Sequence, residues 1–104
     1  MRWVWLILFL GCSIGLEEAS VAVYPNPCYG DKVVFKGDLA FGRIEIYNIQ
    51  GRLVRVLEAE DEEVVWDTRD EEGRKVPSGV YVWRFEGPSG RCSGRITIIR
   101  RGDG

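Results

Sequence analysis

Apolar residues recur in this chain at every second position or in short runs, and nowhere keep a sustained helical period. Residues 20–24 form a first predicted strand, stopped by Tyr24-Pro25-Asn26-Pro27, where two prolines deny donors to a ladder. Residues 31–36, rich in valine and phenylalanine, form a second. In 43–48 the alternation is clean, with Ile44 and Ile46 on one side and Glu45 and Tyr47 on the other. Asn48-Ile49-Gln50-Gly51 then predicts a hairpin turn, with Gly51 at a left-handed bulge position, and 52–57 is the returning strand. Residues 62–66, 79–86 and 94–100 complete the set, the last two joined by a hairpin loop at Gly87-Pro88-Ser89-Gly90.

The stretch from Trp66 to Tyr81 carries the most turn chemistry. Apolar residues run into Trp66-Asp67, and nothing apolar follows until Val76. Gly73 and Gly79 are read as corners where the chain turns without a Cβ penalty, and Pro77 presets φ before the second corner. Asp67 is expected to accept backbone N–H bonds inside its own turn. Seven short strands with such signals between them are the pattern of an all-β, seven-stranded immunoglobulin-like antiparallel sandwich. Along 79–86, Tyr81, Trp83 and Phe85 share one face and Val80, Val82 and Arg84 the other. The aromatic face is assigned to the core, and apolar groups on both faces predict a sheet covered on more than one side.

The N-terminus is different. Arg2 precedes eight consecutive apolar residues, Trp3 to Leu10. A membrane span needs about 20, so the run fits the apolar segment of a secretory signal occupying residues 1–15, cleaved near Gly15. Phe9-Leu10-Gly11-Cys12 offers an alternative, a lipoprotein signal ending before Cys12, and an uncleaved anchor is the third. Residues 16–104 then form one domain, with only 16–19 between signal and sandwich and no cargo in the chain.

Charge and composition exclude more than they assign. The formal net charge is −2, which gives no general attraction to nucleic acid or to anionic membrane. There is no histidine, so the commonest general base and metal ligand are missing. Nine of the sixteen acidic residues fall within 58–72, while basic residues gather after Gly73. This split reads as solvated loops and a charged edge, with a dipolar docking surface as the sharper alternative. Asp67, Asp70, Glu71 and Glu72 lack the alternating order of a calcium loop, and their loop lacks the apolar walls a general acid needs. No cofactor, metal or small-molecule substrate is expected, and no enzyme. With Cys12 removed or lipidated, Cys28 and Cys92 remain as a candidate disulfide of an exported protein, worth about 4 kcal/mol on the chain-entropy account. Against it, the two positions are expected at opposite ends of a sandwich.

In order, Val23-Tyr24-Pro25-Asn26-Pro27, Val33-Val34-Phe35, the hairpin from Ile44 through Gly51 to Arg55, Trp66-Asp67 with Gly73 and Val76-Pro77-Ser78-Gly79-Val80-Tyr81, and Gly94-Arg95-Ile96-Thr97-Ile98-Ile99-Arg100 resemble the type A C-terminal sorting domain of the type IX secretion system. The set is also similar to the related immunoglobulin-like domain of the flagellar hook-capping protein. The resemblance spans about residues 21–101. It implies a non-catalytic module that carries an exported protein across the outer membrane, with secretion machinery or an envelope component as its protein partner. Its place is then the periplasm, the outer membrane surface or the extracellular space, and it touches membrane only through the signal or a lipid anchor. The assembly role of the hook-cap type is the alternative. Carried over, Tyr24, Pro25, Asn26, Pro27, Gly51, Gly79, Tyr81 and the terminal residues 98–101, Ile98 and Arg100 included, become structural positions or positions read by the export machinery.

Overall fold

The structure, a computed structural model, describes residues 20–100; the expected signal and Cys12 lie outside the described residues. Seven strands alternate with turns: β1 (Val21–Tyr24), β2 (Val33–Gly37), β3 (Arg43–Tyr47), β4 (Leu53–Glu58), β5 (Glu63–Trp66), β6 (Gly79–Gly87) and β7 (Gly90–Ile98). They form two antiparallel sheets, one ordered β1-β2-β5 and the other β4-β3-β6-β7. This is the immunoglobulin-like sandwich that the strand count and turn spacing predict.

The period-two pattern is spent on the space between the sheets. Val33 and Phe35 of β2, Val64 and Trp66 of β5, Ile44 and Ile46 of β3, Tyr81, Trp83 and Phe85 of β6 and Ile96 and Ile98 of β7 are all buried there. Two edge-to-face ring pairs cross the core, Phe35 with Trp83 at 5.6 Å and Trp66 with Tyr81 at 6.0 Å. The outer face of β6 carries half-buried Val80 and Val82 and exposed Arg84. The described residues form two layers, so the expected second cover over this face is not among them. The β-branched side chains there are shielded by lateral neighbours such as Tyr47 and Thr97, which register beside them.

β7 begins four residues earlier than the pattern indicated. Gly87 registers directly with Gly90, leaving only Pro88 and Ser89 as the hairpin turn. The inward positions of the first half are Gly90, Cys92 and Gly94, which give little hydrophobic signal. Gly94 is small because the Trp83 indole lies across it: a Cβ there would stand 2.9 Å from Trp83 Cζ2. Gly51 and Gly73 do adopt the left-handed φ expected of them, at 87° and 86°. Gly79 does not: its φ is ordinary, and a Cβ would meet only Tyr81 Cε1 at 3.9 Å. The corner before β6 is made by Pro77 and Ser78, so Gly79→Ala is expected to leave the melting temperature within about 2 °C of the parent, near the limit for a substitution that breaks no contact.

Cys28 and Cys92 are not joined. Cys28 bridges to Ile98, whereas Cys92 registers with Phe85, six residues back along β7. At about 3.3 Å per residue that is roughly 20 Å, well beyond disulfide reach. The Cys28 thiol instead donates to the carbonyls of Gly30 and Lys32, at 3.5 and 3.4 Å.

Candidate functional site: the C-terminal clasp and the two sheet edges

Arg100 organises one end of the sandwich. Its side chain is only 13% exposed, and its guanidinium donates to four backbone or hydroxyl acceptors from three segments. Nε reaches the Val76 carbonyl at 2.9 Å, Nη1 the Gly30 carbonyl at 3.3 Å, and Nη2 the carbonyl and Oγ1 of Thr68 at 3.2 and 3.0 Å. The Arg100 amide donates to Ser78 Oγ at 2.7 Å. Thr68 is fully buried with φ at 59°, a conformation a β-branched residue adopts only under constraint. The Val76 amide and the guanidinium hold its carbonyl from two directions. Nothing in the one-dimensional pattern singles out Thr68.

Around this clasp the turn from Trp66 to Tyr81 is fixed by side chains. Asp67 Oδ1 accepts the Arg69 amide at 3.1 Å, as its turn requires, and also Arg55 Nη1 at 3.0 Å. The Trp66 indole donates to the Arg69 carbonyl at 2.9 Å. Asp70 Oδ1 accepts the amides of Arg74 and Glu72, both at 2.9 Å; the Arg74 amide first, then the Glu72 amide and the Arg74 charge, against opposing desolvation, hold its carboxyl below the usual carboxylate range. Tyr81 Oη donates to the Pro77 carbonyl at 2.7 Å, four residues upstream, the tyrosine-corner arrangement of immunoglobulin-like domains. Burial pushes the Tyr81 phenol up. Lys75 donates to Asp31 at 2.6 Å and, with Arg100 nearby, keeps the Asp31 carboxyl low. Of the four acids weighed as a calcium loop, Asp67 meets Arg55, Glu71 accepts the Val56 amide, and Asp70 and Glu72 share Arg74.

The four-stranded sheet has two edges, and each is met by one side chain that stands in for a strand. On β7, the Asn26 amide donates to the Arg95 carbonyl at 3.1 Å and its Oδ1 accepts the Thr97 amide at 3.2 Å. Main chain takes over at Cys28, whose amide donates to Thr97 and whose carbonyl accepts from Ile99, at 2.7 and 2.8 Å. Tyr24-Pro25-Asn26-Pro27 thus does more than stop β1. It brings the Asn26 side chain to the far sheet. On β4, the Glu71 amide donates to the Val54 carbonyl at 3.0 Å and Glu71 Oε2 accepts the Val56 amide at 2.7 Å. Covering exposed edges in this way blocks unwanted pairing. Asn26→Ala is expected to cost about 1–2 kcal/mol and to accelerate exchange of the Thr97 amide, read by hydrogen exchange.

Of the residues singled out in sequence, Trp66, Asp67, Gly73, Pro77, Tyr81 and Arg100 lie in or beside the clasp, with Asn26 on the β7 edge. Ile98 is fully buried and bridged by Cys28, so its side chain is part of the core. Gly51 stands apart in the β3–β4 hairpin. Tyr24 is 44% exposed and faces away from the clasp's acceptors, on the outer face of the three-stranded sheet beside Val34.

The geometry agrees with the comparisons. Residues 22–99 match the secretion system C-terminal sorting domain, a span that takes in the seven strands except Val21, the first residue of β1. The chain belongs to that family. Among solved structures the sorting domain is similar to part of PorZ, described as an essential bacterial surface component of the type-IX secretion system of Porphyromonas gingivalis. The identity is 34% and the TM-score 0.67, over 77% of this chain and 11% of that one. It shares the fold of part of dimeric latent PorU from the same organism, at 23% identity and a TM-score of 0.64, over 86% of this chain and 10% of that one. The chain therefore spans about a tenth of the length of either protein. No curated protein matches it. The module is a non-catalytic secretion-sorting domain of the type IX kind.

Proposed function

We propose that residues 16–104 act as the part of an exported protein that the type IX machinery engages, through protein contacts alone and without catalysis, cofactor or small-molecule substrate. The preceding residues 1–15 would supply the first export step, and the periplasm, outer membrane surface or extracellular space the destination. The observation that carries this reading is the match across residues 22–99, which takes in the sandwich except Val21. The position of Arg100 sharpens it. Its guanidinium is committed to Val76, Gly30 and Thr68, so within the clasp it holds the C-terminal end in place and offers little to a receptor.

That commitment decides how the proposal is tested. Deleting 96–104 removes Ile96 and Ile98 from the core and would abolish export merely by unfolding the domain. The informative experiment fuses residues 16–104 behind a periplasmic fluorescent reporter in a bacterium with type IX machinery, and compares it with a fusion lacking only 101–104. Surface delivery of the full fusion is expected. Retention of a folded, intact fusion in the periplasm would overturn sorting and favour a stand-alone assembly module.

Stability in acid follows from the same side chains. Asp31, Asp70 and Glu45 are all held below their ordinary values, Glu45 by the Tyr47 hydroxyl first and then by Arg43. A carboxyl depressed in the folded state binds its proton more readily when unfolded. Its contribution is therefore complete above the unfolded pKa, near 4, and is lost as pH falls through the folded value. The melting temperature is expected to be level from about pH 8 to 5, where no histidine titrates, and to decline below about pH 4. A decline centred near pH 6 would contradict this assignment.

A further inference from the structure

The cover over the β7 edge stops halfway. Arg95 C=O, Thr97 N–H and C=O and Ile99 N–H point away from β6 and are taken by Asn26 and Cys28. Antiparallel alternation then points the N–H and C=O of Arg91 and Ser93, and the N–H of Arg95, the same way. No described residue pairs with these five groups. On the outer face the same stretch carries exposed Arg91 and Arg95 with Ser93 between them; exposed Arg84 registers beside Ser93 and exposed Glu86 beside Arg91, so three basic groups stand against one acid.

We infer that the edge of β7 over residues 91–95 is a docking site for an extended acidic segment of a partner protein, added to the sheet as a fifth strand. The inference rests on the reading of the module as one that works through protein contacts, and it names the chemistry of that contact. Main-chain pairing supplies the attraction, and alternate side chains supply selection. Acidic residues on the outer face of the added strand, spaced to register with Arg91 and Arg95, complete the charges. A second copy of this chain is disfavoured by the same residues. Antiparallel pairing of two β7 edges about Ser93 sets Arg91 against the other copy's Arg95, and like charges directly opposite repel. The chain's own acidic run cannot serve from another copy either, since its backbone is engaged: Ala59 bonds Phe41 and Gly42, and Glu62 bonds Gly37.

The test uses the purified full-length chain and a synthetic peptide of alternating valine and glutamate, with a valine–lysine peptide as comparison. The glutamate peptide is expected to bind at least about tenfold more tightly and to slow hydrogen exchange at the amides of Arg91, Ser93 and Arg95. Ser93→Pro removes an outward donor but no ladder bond, and is expected to weaken binding about tenfold with little change in melting temperature. Should that variant unfold, Arg91→Glu with Arg95→Glu serves instead and is expected to reverse the preference toward lysine. No binding, binding that leaves those amides unprotected, protection already present without peptide, or a dimer that Ser93→Pro dissolves would each overturn the inference. The reporter fusion is measured in parallel: failure of export with peptide binding intact strikes the sorting proposal, and export without peptide binding strikes only the docking edge.

Discussion

Arg100→Ala is expected to lower the unfolding free energy by about 3 kcal/mol. The carbonyl and hydroxyl of fully buried Thr68 lose the guanidinium, as do the carbonyls of Val76 and Gly30. The buried Val76 carbonyl is left without a donor, at about 1–3 kcal/mol, whereas the Thr68 carbonyl keeps the Val76 amide and the exposed Gly30 carbonyl keeps the Cys28 thiol, so each of these loses one charge-assisted bond but is not orphaned. Thr68 adds to the loss because its left-handed backbone persists only while its surroundings hold it. Arg100→Lys keeps the charge but offers one point of donation where a planar fork spanned three segments, so it should fall between parent and alanine. The measurement is urea unfolding of the three proteins. The midpoint should move while the slope stays constant, as expected when stability changes without a change in the surface exposed. A midpoint for Arg100→Ala within error of the parent would show that the clasp contributes nothing, and Arg100 would return as a candidate for recognition.

The clasp also marks the limit of what was legible in the sequence. The strands announced themselves because burial in a two-layer sandwich imposes period two, and Ile44, Ile46, Trp83 and Phe85 obey it. Asp67 and Gly51 were legible because their constraints are local: an Asx turn and a left-handed φ need only the next few residues. Arg100 was named as a position, but its partners Gly30, Thr68 and Val76 are far apart along the chain and come together only in the folded state. Asn26 stands in the sequence as part of a strand stop for the same reason, since its hydrogen bonds go to Arg95 and Thr97. Gly79 misled because a glycine before a strand resembles a corner whether or not its φ requires one. The start of β7 was missed because Gly90, Cys92 and Gly94 pack by being small, and hydropathy does not register a space left for Trp83.

Tyr81→Ala is expected to have the larger effect, about 4 kcal/mol. Tyr81 is 4% exposed, stacks edge-to-face on Trp66 and bonds the Pro77 carbonyl. Truncation opens a cavity beside the largest fully buried side chain of the core and leaves the Pro77 carbonyl unpaired. For a domain of this size the whole stability is about 4–12 kcal/mol, so at the lower end the variant is unfolded at room temperature. Tyr81→Phe separates the two contributions. It keeps the ring and loses only the hydroxyl, and about 1–2 kcal/mol is expected. Near-ultraviolet circular dichroism, which reports fixed packing around Trp66 and Trp83, should be retained in Tyr81→Phe and lost in Tyr81→Ala. A folded Tyr81→Ala with native near-ultraviolet signal would mean that the core is held without this corner. Export adds a consequence: a reporter fused to Tyr81→Ala should fail to reach the surface while Tyr81→Phe succeeds, because both the β7 edge and the clasp exist only on a folded sandwich. Surface delivery by an unfolded Tyr81→Ala fusion would place the sorting information in the linear sequence instead of the fold.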